Sequence, residues 1–465
     1  MTFRLYLTTF IGGLVSLALE MAASRLLEPF FGTSNLVWAA VIGLILLFLA
    51  VGYAVGGHWA DRSPQASTLY SILVGAGIAI AVIPFLTRPV LLMAAQGMLA
   101  WNIGQVAGTF VAVLVLFAIP VTLLACISPF VIRLALTDVQ LSGITAGRVY
   151  AISTGGSFLG TFLPVLFLIP TLGTRQTFFL LGLLTVATGL WGLWQTNRKR
   201  FWSLAWTLPL IASLFLLKTT EIKPQEGLIY EEESAYNFIQ VVEKKGIRFL
   251  LLNEGQGVHS VSMPKNVLTG GTWDYFLIAP YFNAAPHPPK QVDSLLVVGL
   301  AAGTIPAQYT EIYGDIPIDG VEIDPQIIEV GQQYFDMTQP NLDTHATDGR
   351  YFLNQTHDRY DVVAVDAYRL PYIPWHRTTV EFFQEVRDHL TDEGVIGINV
   401  GHTPDDWRLV EALAATMRQV YPSVHIIAVP NTFNAILIAT VQPTSPENLT
   451  ENLALMDNEQ LHTVG

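Results

Sequence analysis

The chain has 465 residues, of which 51% are hydrophobic and 13% are charged, and its formal net charge is −13. Soluble domains carry about 25% charged residues, so a large part of this chain is expected to lie in lipid. Nucleic acid is not expected as a partner.

The charge is divided unevenly along the chain. Residues 1–217 contain 10 Lys and Arg against 4 Asp and Glu, a net charge of +6, whereas residues 218–465 contain 14 against 33, a net charge of −19. Two solvents are therefore indicated, a lipid bilayer for the first part and water for the second. The single cysteine, Cys126, excludes a disulfide within the chain.

Residues 1–217 contain apolar runs of about 20 residues, the length that a membrane span needs. Seven spans are predicted, at 5–25, 36–60, 67–87, 104–132, 148–170, 175–195 and 201–217. The run 89–136 has room for an eighth, and 89–102 alone fits an interfacial or re-entrant piece. With seven spans the basic loops fall on the cytoplasmic side, which predicts an integral, multi-pass protein with its C-terminal part outside the cytoplasm.

Two charged residues of the first predicted span are functional candidates. Glu20 lies inside the apolar run, and Arg25 follows five residues later. A carboxylate in a bilayer is costly unless it is paired or faces a cavity, so a functional role and a polar contact between helices are both open. The Gly-rich stretches "AVGYAVGGHWA" and "STGGSFLG" favour close helix packing over ligand binding.

The second part begins with a linker at 218–227, followed by a small β-region and a helix at 228–290. The stretch "YEEESAYNFIQVVEKKGIRFLLLNEG" predicts two strands with a tight turn at Lys245–Gly246. From 291 to 465, short apolar runs alternate with helical stretches, which predicts a parallel, doubly wound sheet. The predicted strands are "SLLVVGL", "IDGVEID", "YDVVAVDAY", "GVIGINV" and "VHIIAV", with "NAILIATVQ" as an added antiparallel strand.

The first of these strands runs into a loop of small residues, which let a backbone approach a ligand closely. The loop of "LLVVGLAAGTIPAQ" contains Gly299, Ala301, Ala302 and Gly303. It lacks a full G-x-G-x-x-G and a Lys for a triphosphate, so neither a nicotinamide cofactor nor ATP fits well.

Carboxylates follow the next strands, at the edge where ligands bind in such sheets. Glu322 in "VEIDP" is placed to accept the hydroxyls of a ribose, and Asp348 in "ATDGR", followed by Gly349, to accept from an adenine amino group. Asp324 is expected to cap a helix. In this order and spacing, the motifs indicate an adenosine-containing cofactor.

Asp366 ends the strand of "YDVVAVDAY", where its carboxylate would face the same crevice. A carboxylate there can orient an amine and take its proton, although a helix cap is the alternative. The loop that follows, with Tyr368 and Tyr372, is expected to fold over a substrate. No His or Cys cluster has the spacing of a metal site, so no metal is expected.

These motifs resemble spermidine synthase, a polyamine aminopropyltransferase, through "YEEESAYNFIQVVE", "VEIDP", "TDGR" and "YDVVAVDAY". The stretches "LEMAASRLLEPFFGTS" and "GGHWADR" resemble the membrane-fused members of that group. The resemblance implies a multi-span α-helical membrane domain, followed by an α/β Rossmann-like domain of the class I methyltransferase type with a small N-terminal β-region.

The resemblance also implies a co-substrate, decarboxylated S-adenosylmethionine or S-adenosylmethionine, and a small-molecule amine as partner. The small residues of the glycine loop would line the co-substrate, Glu322 its ribose, and Asp348 with Gly349 its adenine. Asp366 would receive the proton of the attacking amine. The residues expected to bind the amine substrate are Gln240, Asp274, Tyr368 and Tyr372.

Three positions depart from the family pattern. Ala302 stands where the family has an acid that anchors the amine of the donor, and Arg369 stands where it has a second acid after the catalytic one. The family's Tyr-His-Glu run is replaced by "WDY", which leaves Asp274 as its acid. A buried ammonium without a carboxylate partner is costly. The missing acid therefore raises the question whether the co-substrate carries an aminopropyl group.

Three functions are therefore compared. The first is a membrane-integral transferase that moves an aminopropyl or related alkyl group, and the second is a methyltransferase on the same fold. The third is a non-catalytic sensor or transporter for polyamine-like solutes, which Glu20 and Arg25 would suit. The charge count favours an extracytoplasmic C-terminal domain, whereas cofactor chemistry favours a cytoplasmic one. A homodimer stays open.

Overall fold

The computed structural model of the protein describes residues 2–465 apart from 33, 102–104, 218–222, 224, 254, 256, 264 and 368–372. The chain divides into two compact units. The helical unit comprises Met1–Pro224 and Glu231–Phe238, and the sheet unit comprises Gln225–Tyr230 and Ile239–Gly465.

The helical unit is built from long apolar helices joined by short loops. Helices α1 to α9 are Thr2–Phe31, Asn35–Arg62, Ala66–Trp101, Gln105–Ala125, Ile127–Ala135, Ser142–Leu163, Ile169–Thr196, Arg198–Leu204 and Thr207–Leu216. A π-helical stretch, Pro164–Leu168, joins α6 to α7, and α7 is interrupted at Gly173, which has φ 81° and ψ 163°. The piece predicted at 89–102 is largely a continuation of α3.

Five ranges in the described part of the chain are long and apolar enough to cross a membrane by length and composition. They are Phe3–Phe31, Asn35–Arg62, Ala66–Ala94, Ala107–Ala135 and Val139–Thr196. The last has 58 residues, which as one straight helix would reach ~87 Å, about three times the hydrocarbon core. The break at Gly173 divides it into two pieces at the positions of the fifth and sixth predicted spans.

The seventh predicted span, 201–217, overlaps α8 and contains α9, a helix of only 10 residues. The count of seven therefore stays a prediction.

Glycines set the closest approaches between helices of this unit. A Cβ atom on Gly156 of α6 would meet the carbonyl oxygen of Phe10 in α1, and one on Gly52 of α2 would meet that of Thr122 in α4. Replacing either glycine would push backbones apart, because no flexible side chain is there to move. The role of the two Gly-rich stretches in helix packing is thus confirmed.

A small sheet has the strand order β1-β2-β3-β4. These strands are Leu228–Glu233, Phe238–Lys244, Ile247–Leu252 and Val258–Ser262. Strands β2 and β3 pair antiparallel around Lys245 and Gly246, which have φ 55° and 77°. Positive φ at both positions is typical of a two-residue hairpin turn, and the predicted hairpin is confirmed.

The large sheet has seven strands in the order β10-β11-β9-β8-β5-β6-β7. Strands β5 to β11 are Leu295–Val298, Ile318–Glu322, Leu342–Ala346, Tyr360–Val365, Leu390–Gly401, Ser423–Ala428 and Asn434–Thr440. β5 pairs in parallel with β6 and β8, while β11 runs antiparallel to β9 and β10. This is the predicted doubly wound sheet, with the antiparallel strand inserted next to β9.

Helices cover both faces of this sheet. α10 to α16 are Thr304–Tyr313, Pro325–Tyr334, Gly349–Leu353, Val380–Asp388, Arg408–Met417, Pro446–Ala454 and Glu459–Val464. All four residues of β5 are fully buried, with Leu296 and Val298 in one core cluster and Leu295 and Val297 in another. Strand β5 is therefore an unbroken apolar run, and the loop at its carboxyl end lies over the middle of the sheet.

Candidate functional site

The loop that follows β5 is shaped by residues with positive φ. Gly299 has φ 94° and Gly303 has φ 84°, and a Cβ atom on Gly299 would lie 2.6 Å from the backbone nitrogen of Ala367. Ala301 also adopts a left-handed conformation, with φ 48°. The N–H of Ala302 donates to Oγ of Ser260 in β4 at 3.0 Å. These contacts bring the glycine loop against the segment that contains Asp366.

Glu322 closes the loop from the neighbouring strand. Its carboxylate accepts hydrogen bonds from the N–H of Ala301 at 3.0 Å and of Asp324 at 3.2 Å. The side chain is 8% exposed, and burial raises the pKa of its carboxyl group. A carboxylate has about four acceptor positions, so Glu322 can hold the loop and still accept from a ribose hydroxyl.

Asp348 caps the N-terminus of α12. Its Oδ1 accepts from the backbone N–H of Arg350 and of Tyr351, and its Oδ2 accepts from the guanidinium of Arg377 at 2.7 Å. Burial would raise the pKa of this carboxyl group, but the hydrogen bond and charge of Arg377 and the two backbone donors lower it below the ordinary value. Asp348 is therefore a fixed anion at the edge of the sheet.

Gly349 and Asp324 occupy their positions for steric and capping reasons. A Cβ atom on Gly349 would collide with the side chain of Val298, so α12 begins directly against β5. Asp324 accepts from the N–H of Gln326 at 3.1 Å as the N-cap of α11, which confirms that it is a cap. Arg377 was not recognised in the sequence, because 29 residues separate it from Asp348.

Asp366 follows β8 and faces two donors. The indole Nε1 of Trp273 donates to its Oδ2 at 2.9 Å, and the amide Nδ2 of Asn399 donates to its Oδ1 at 2.8 Å. Burial raises the pKa of this carboxyl group to about 6, and the two hydrogen bonds oppose part of that rise. A carboxyl group that titrates close to neutral pH is suited to proton transfer.

Asp274 has a different environment from Asp366. It is 4% exposed and accepts from Thr269 and Gly270 and from Nε2 of Gln308 at 2.6 Å. These bonds hold the turn before the 3₁₀-helix Thr272–Phe276, which carries Trp273 onto Asp366. Asp274 thus acts on the site through Trp273, and its contact with a substrate stays a prediction.

The remaining candidates of the sheet unit are only partly described. Gln240 is buried in β2, beside residues of the small sheet that pack on the glycine loop. Tyr368 and Tyr372, together with Arg369, lie outside the described residues.

The two charged candidates of the helical unit lie in α1. Arg25 forms an ion pair with Glu28 at 2.8 Å and donates to the carbonyl oxygen of Ser234 at 2.6 Å. Glu233, in the same segment, accepts from the N–H of Thr174 at 2.6 Å, next to the break in α7. Arg25 is thus part of a structural polar contact, while Glu20 lies half-buried further inside α1.

One group of side chains in the described residues has the geometry to hold a metal ion. Asp319, Asp343 and His345 place their ligand atoms within 4.8 Å of one another on β6 and β7. His345 is hydrogen-bonded to Asp319 at 2.7 Å, and Asp319 also accepts from the hydroxyl of Tyr360 at 2.9 Å. The group is occupied by its own hydrogen bonds, and the expectation that no metal is involved remains untested.

The strand order and the carboxylates at the ends of β6, β7 and β8 define a methyltransferase-like Rossmann domain. Residues 315–452 match the family model of the spermine/spermidine synthase domain. The C-terminal half of the chain therefore contains a spermidine synthase domain, preceded by a helical region that fits a fusion.

Three similar proteins place this match in context. The chain is 34% identical over 239 residues to a probable polyamine aminopropyl transferase of Bifidobacterium longum, covering 49% of this chain and about half, 52%, of that protein. It is 28% identical over 163 residues to the human eEF1A lysine and N-terminal methyltransferase, covering 32% of this chain and 23% of that protein. A crystal structure of a probable spermidine synthase from Corynebacterium glutamicum superimposes with a TM-score of 0.42 at 21% identity, covering 50% of this chain and 86% of that one.

Proposed function

We propose that the protein is a membrane-integral, spermidine synthase-like transferase. It moves an aminopropyl or related alkyl group from decarboxylated S-adenosylmethionine, or a similar derivative, to a small-molecule amine. The spermidine synthase domain supports the transferase class. The name of the Bifidobacterium relative, a polyamine aminopropyl transferase, supports the donor and a place in polyamine biosynthesis.

The observation that carries this proposal is the environment of Asp366. A half-buried carboxylate at the end of β8 is held by Trp273 and Asn399, within reach of the glycine loop, and its partial burial raises its pKa to about 6. The hydrogen bonds fix the orientation of the carboxylate, so its position does not depend on a substrate. A purely structural helix cap would not need the two side-chain donors.

The reaction follows from this arrangement. The lone pair of the amine attacks the carbon next to the sulfonium, the new N–C bond forms as the C–S bond breaks, and the sulfur keeps the electron pair. Methylthioadenosine leaves, and the proton of the attacking nitrogen passes to the carboxylate of Asp366. Most of the rate would come from holding the nucleophile and the sulfonium in line, because no acid is needed to expel a neutral thioether.

The donor would lie across the carboxyl edge of β5 to β7. Glu322 is placed to accept the ribose hydroxyls, and Asp348 with Gly349 to receive the adenine. The small residues from Gly299 to Gly303 would let the sulfonium end approach the backbone closely. The negative charge of Asp348, stabilised by Arg377, suits an acceptor of the adenine amino hydrogens.

Methyl transfer is the second candidate, and Ala302 favours it. The loop offers no carboxylate at the position where an aminopropyl ammonium would need one, whereas S-adenosylmethionine carries its own carboxylate beside its ammonium. Similarity to the human methyltransferase fits the same idea. The two candidates share the site and differ only in the donor and in the carbon that is attacked.

Binding calorimetry on the detergent-solubilised full chain tests the donor. Methylthioadenosine, S-adenosylmethionine and decarboxylated S-adenosylmethionine are titrated in turn, with Asp348→Asn as the variant that keeps the helix cap. Tight binding of the decarboxylated form, weakened in the variant, is expected. Preference for S-adenosylmethionine would move the assignment to methyl transfer. If none of the three binds, the transferase proposal is wrong and a sensor or transporter role takes its place.

The transferase proposal requires the sheet unit to face the cytoplasm, where adenosyl donors are made, against the charge count of the predicted spans. The one cysteine of the chain, Cys126, is buried. The labelling of a single added cysteine therefore shows which side of the membrane the sheet unit faces. Glu411→Cys, at an exposed position of α14, is treated with an impermeant maleimide in intact and in permeabilised cells. Labelling only after permeabilisation is expected, and labelling of intact cells would contradict the proposal.

A further inference from the structure

Two elements of the sheet unit meet at the carboxylate of Asp348. Its Oδ1 accepts from the backbone N–H of Arg350 in α12 at 2.9 Å. Its Oδ2 is contacted by the 3₁₀-helix Trp375–Arg377, which leads into α13. Arg377 donates to this oxygen at 2.7 Å, and Nε2 of His376 lies 3.4 Å from it. The surroundings of Oδ2 therefore depend on where the 3₁₀-helix is held.

The side chain of Arg350 holds this 3₁₀-helix. Its Nη1 donates to the carbonyl oxygen of His376 at 3.0 Å. Its Nε and Nη2 donate to the two carboxylate oxygens of Glu385 in α13, at 2.7 and 2.6 Å. One planar guanidinium thus joins α12, the 3₁₀-helix and α13. A lysine has no such fork and could not make the same contacts.

The two arginines close a ring of hydrogen bonds. It runs from Oδ1 of Asp348 to the backbone N–H of Arg350, and through the Arg350 side chain to the carbonyl oxygen of His376. Arg377 then returns it to Oδ2 of Asp348. The side chains of Arg350 and Glu385 are 26% and 27% exposed, whereas that of Arg377 is 8% exposed. The outer pair can therefore be altered with less damage to the fold than Arg377.

We infer that Arg350, held by Glu385, is a positioning residue for the adenine end of the donor. It acts through the carbonyl oxygen of His376, which fixes the 3₁₀-helix from which Arg377 reaches Asp348. Arg377 keeps the carboxylate of Asp348 oriented, and that carboxylate is the group proposed to accept from the adenine amino group. The inference rests on the proposed function in naming adenine as the ligand of Asp348.

A displaced Arg377 would change the ionisation of Asp348. The other charged or titratable side chains in the ring or next to it are Arg350, His376, Arg377, Glu381 and Glu385. Burial would raise the pKa of the Asp348 carboxyl group, but the hydrogen bond and charge of Arg377 lower it below the ordinary value. If Arg377 moves away, that pKa rises. The charged form of Asp348 is then lost at a higher pH on acidification.

Calorimetry with methylthioadenosine on the detergent-solubilised full chain, at a series of pH values, tests the inference. Arg350→Met removes the guanidinium and keeps an unbranched side chain. Glu385→Gln keeps the size of the side chain and weakens only the ion pair, so it decides the question if Arg350→Met does not fold. Arg359→Met is the matched control, because Arg359 is also paired with an acid, Asp392, but lies just before β8 at the opposite edge of the sheet.

Arg350→Met should weaken the binding of methylthioadenosine by about tenfold at neutral pH, the value of one hydrogen bond to a charged group. The pH at which binding is half lost on acidification should rise by roughly one unit, because Asp348 loses its cationic neighbour. Glu385→Gln should weaken binding by roughly threefold and move the acid limb in the same direction. Arg359→Met should change neither quantity.

The outcomes separate this inference from the proposed function. Affinities within twofold of the unaltered protein in Arg350→Met and Glu385→Gln would overturn the inference and leave the donor site intact. Weaker binding with an unmoved acid limb would also overturn it, because Arg350 would then support only the fold. If the unaltered protein does not bind methylthioadenosine, the proposed function is wrong and the inference fails with it.

Discussion

Glycine serves opposite purposes in the two units. In the helical unit, Gly156 lies in a regular helix and lets one backbone contact another. The space that a side chain would occupy is filled by a neighbouring helix. In the sheet unit, Gly299 and Gly303 take positive φ and shape a loop over the end of β5. A small residue thus indicates packing in the first context and room for a ligand in the second.

Carboxylates differ in the same way. Glu28 and Glu233 of the helical unit are engaged by Arg25 and Thr174, and they tie chain segments together. Glu322 and Asp366 of the sheet unit are held in place but lie at strand ends, where ligands bind in such folds. We therefore propose a role in stability for the first pair and in chemistry for the second, and substitutions can separate the two roles.

The largest expected effect is on folding of the helical unit. Gly156→Leu places a side chain against the carbonyl oxygen of Phe10, and neither backbone can yield without separating α1 from α6. We expect little folded protein, measured by size-exclusion chromatography and thermal unfolding in detergent. Gly155→Leu is the matched control, because open space faces that glycine. Equal yields of the two variants would contradict the packing role.

Asp366→Asn should lower the rate of transfer by about 10²- to 10⁴-fold, the range for loss of a general base. Binding of methylthioadenosine should change little, so the loss appears in kcat. Asp388→Asn, at an exposed position at the end of α13, serves as control. A rate within tenfold of the unaltered protein would show that the proton goes elsewhere.

Glu322→Gln is expected to weaken the binding of methylthioadenosine by roughly tenfold. The amide keeps the size of the side chain but weakens a charge-assisted hydrogen bond to a ribose hydroxyl. Calorimetry measures the change, and Glu329→Gln, on the exposed face of α11, should leave the affinity unaltered. Unchanged binding in both variants would reduce Glu322 to a support of the loop.

The smallest effect is on the pH dependence. The base must be deprotonated, and burial raises the pKa of Asp366 to about 6, so kcat/KM should fall as the pH drops through about 6. Trp273→Phe removes a hydrogen bond that stabilises the charged form, so the pKa rises and the acid limb moves to higher pH by roughly one unit. Trp202→Phe, on the exposed α8, should not move it. A shift to lower pH would contradict the assignment.

Most of the fold followed from periodicity, and the exceptions have physical reasons. Runs such as Leu295–Val298 are buried on both faces, so they are apolar without interruption and easy to recognise. β7 was not among the predicted strands, because Leu342–Ala346 lies at the edge of the sheet and has three polar residues in a row between its apolar ends. The break at Gly173 depends on backbone angles that a run of apolar residues does not reveal.

The site was only partly visible in the sequence. Glu322, Asp348 and Asp366 end strands and could be found, but Trp273 lies 93 residues before its partner and Asn399 lies 33 after it. The signal for Asn399 is a polar residue inside the buried run "VIGINV", which calls for a partner in the core.

The most direct test is the chemical balance of the reaction. Purified protein is incubated with decarboxylated S-adenosylmethionine and 1,4-diaminobutane, and the products are identified by mass spectrometry. We expect methylthioadenosine and an amine enlarged by one aminopropyl group in equal amounts, both absent with Asp366→Asn. Methylthioadenosine without an enlarged amine, or S-adenosylhomocysteine formed when S-adenosylmethionine replaces the decarboxylated donor, would contradict aminopropyl transfer.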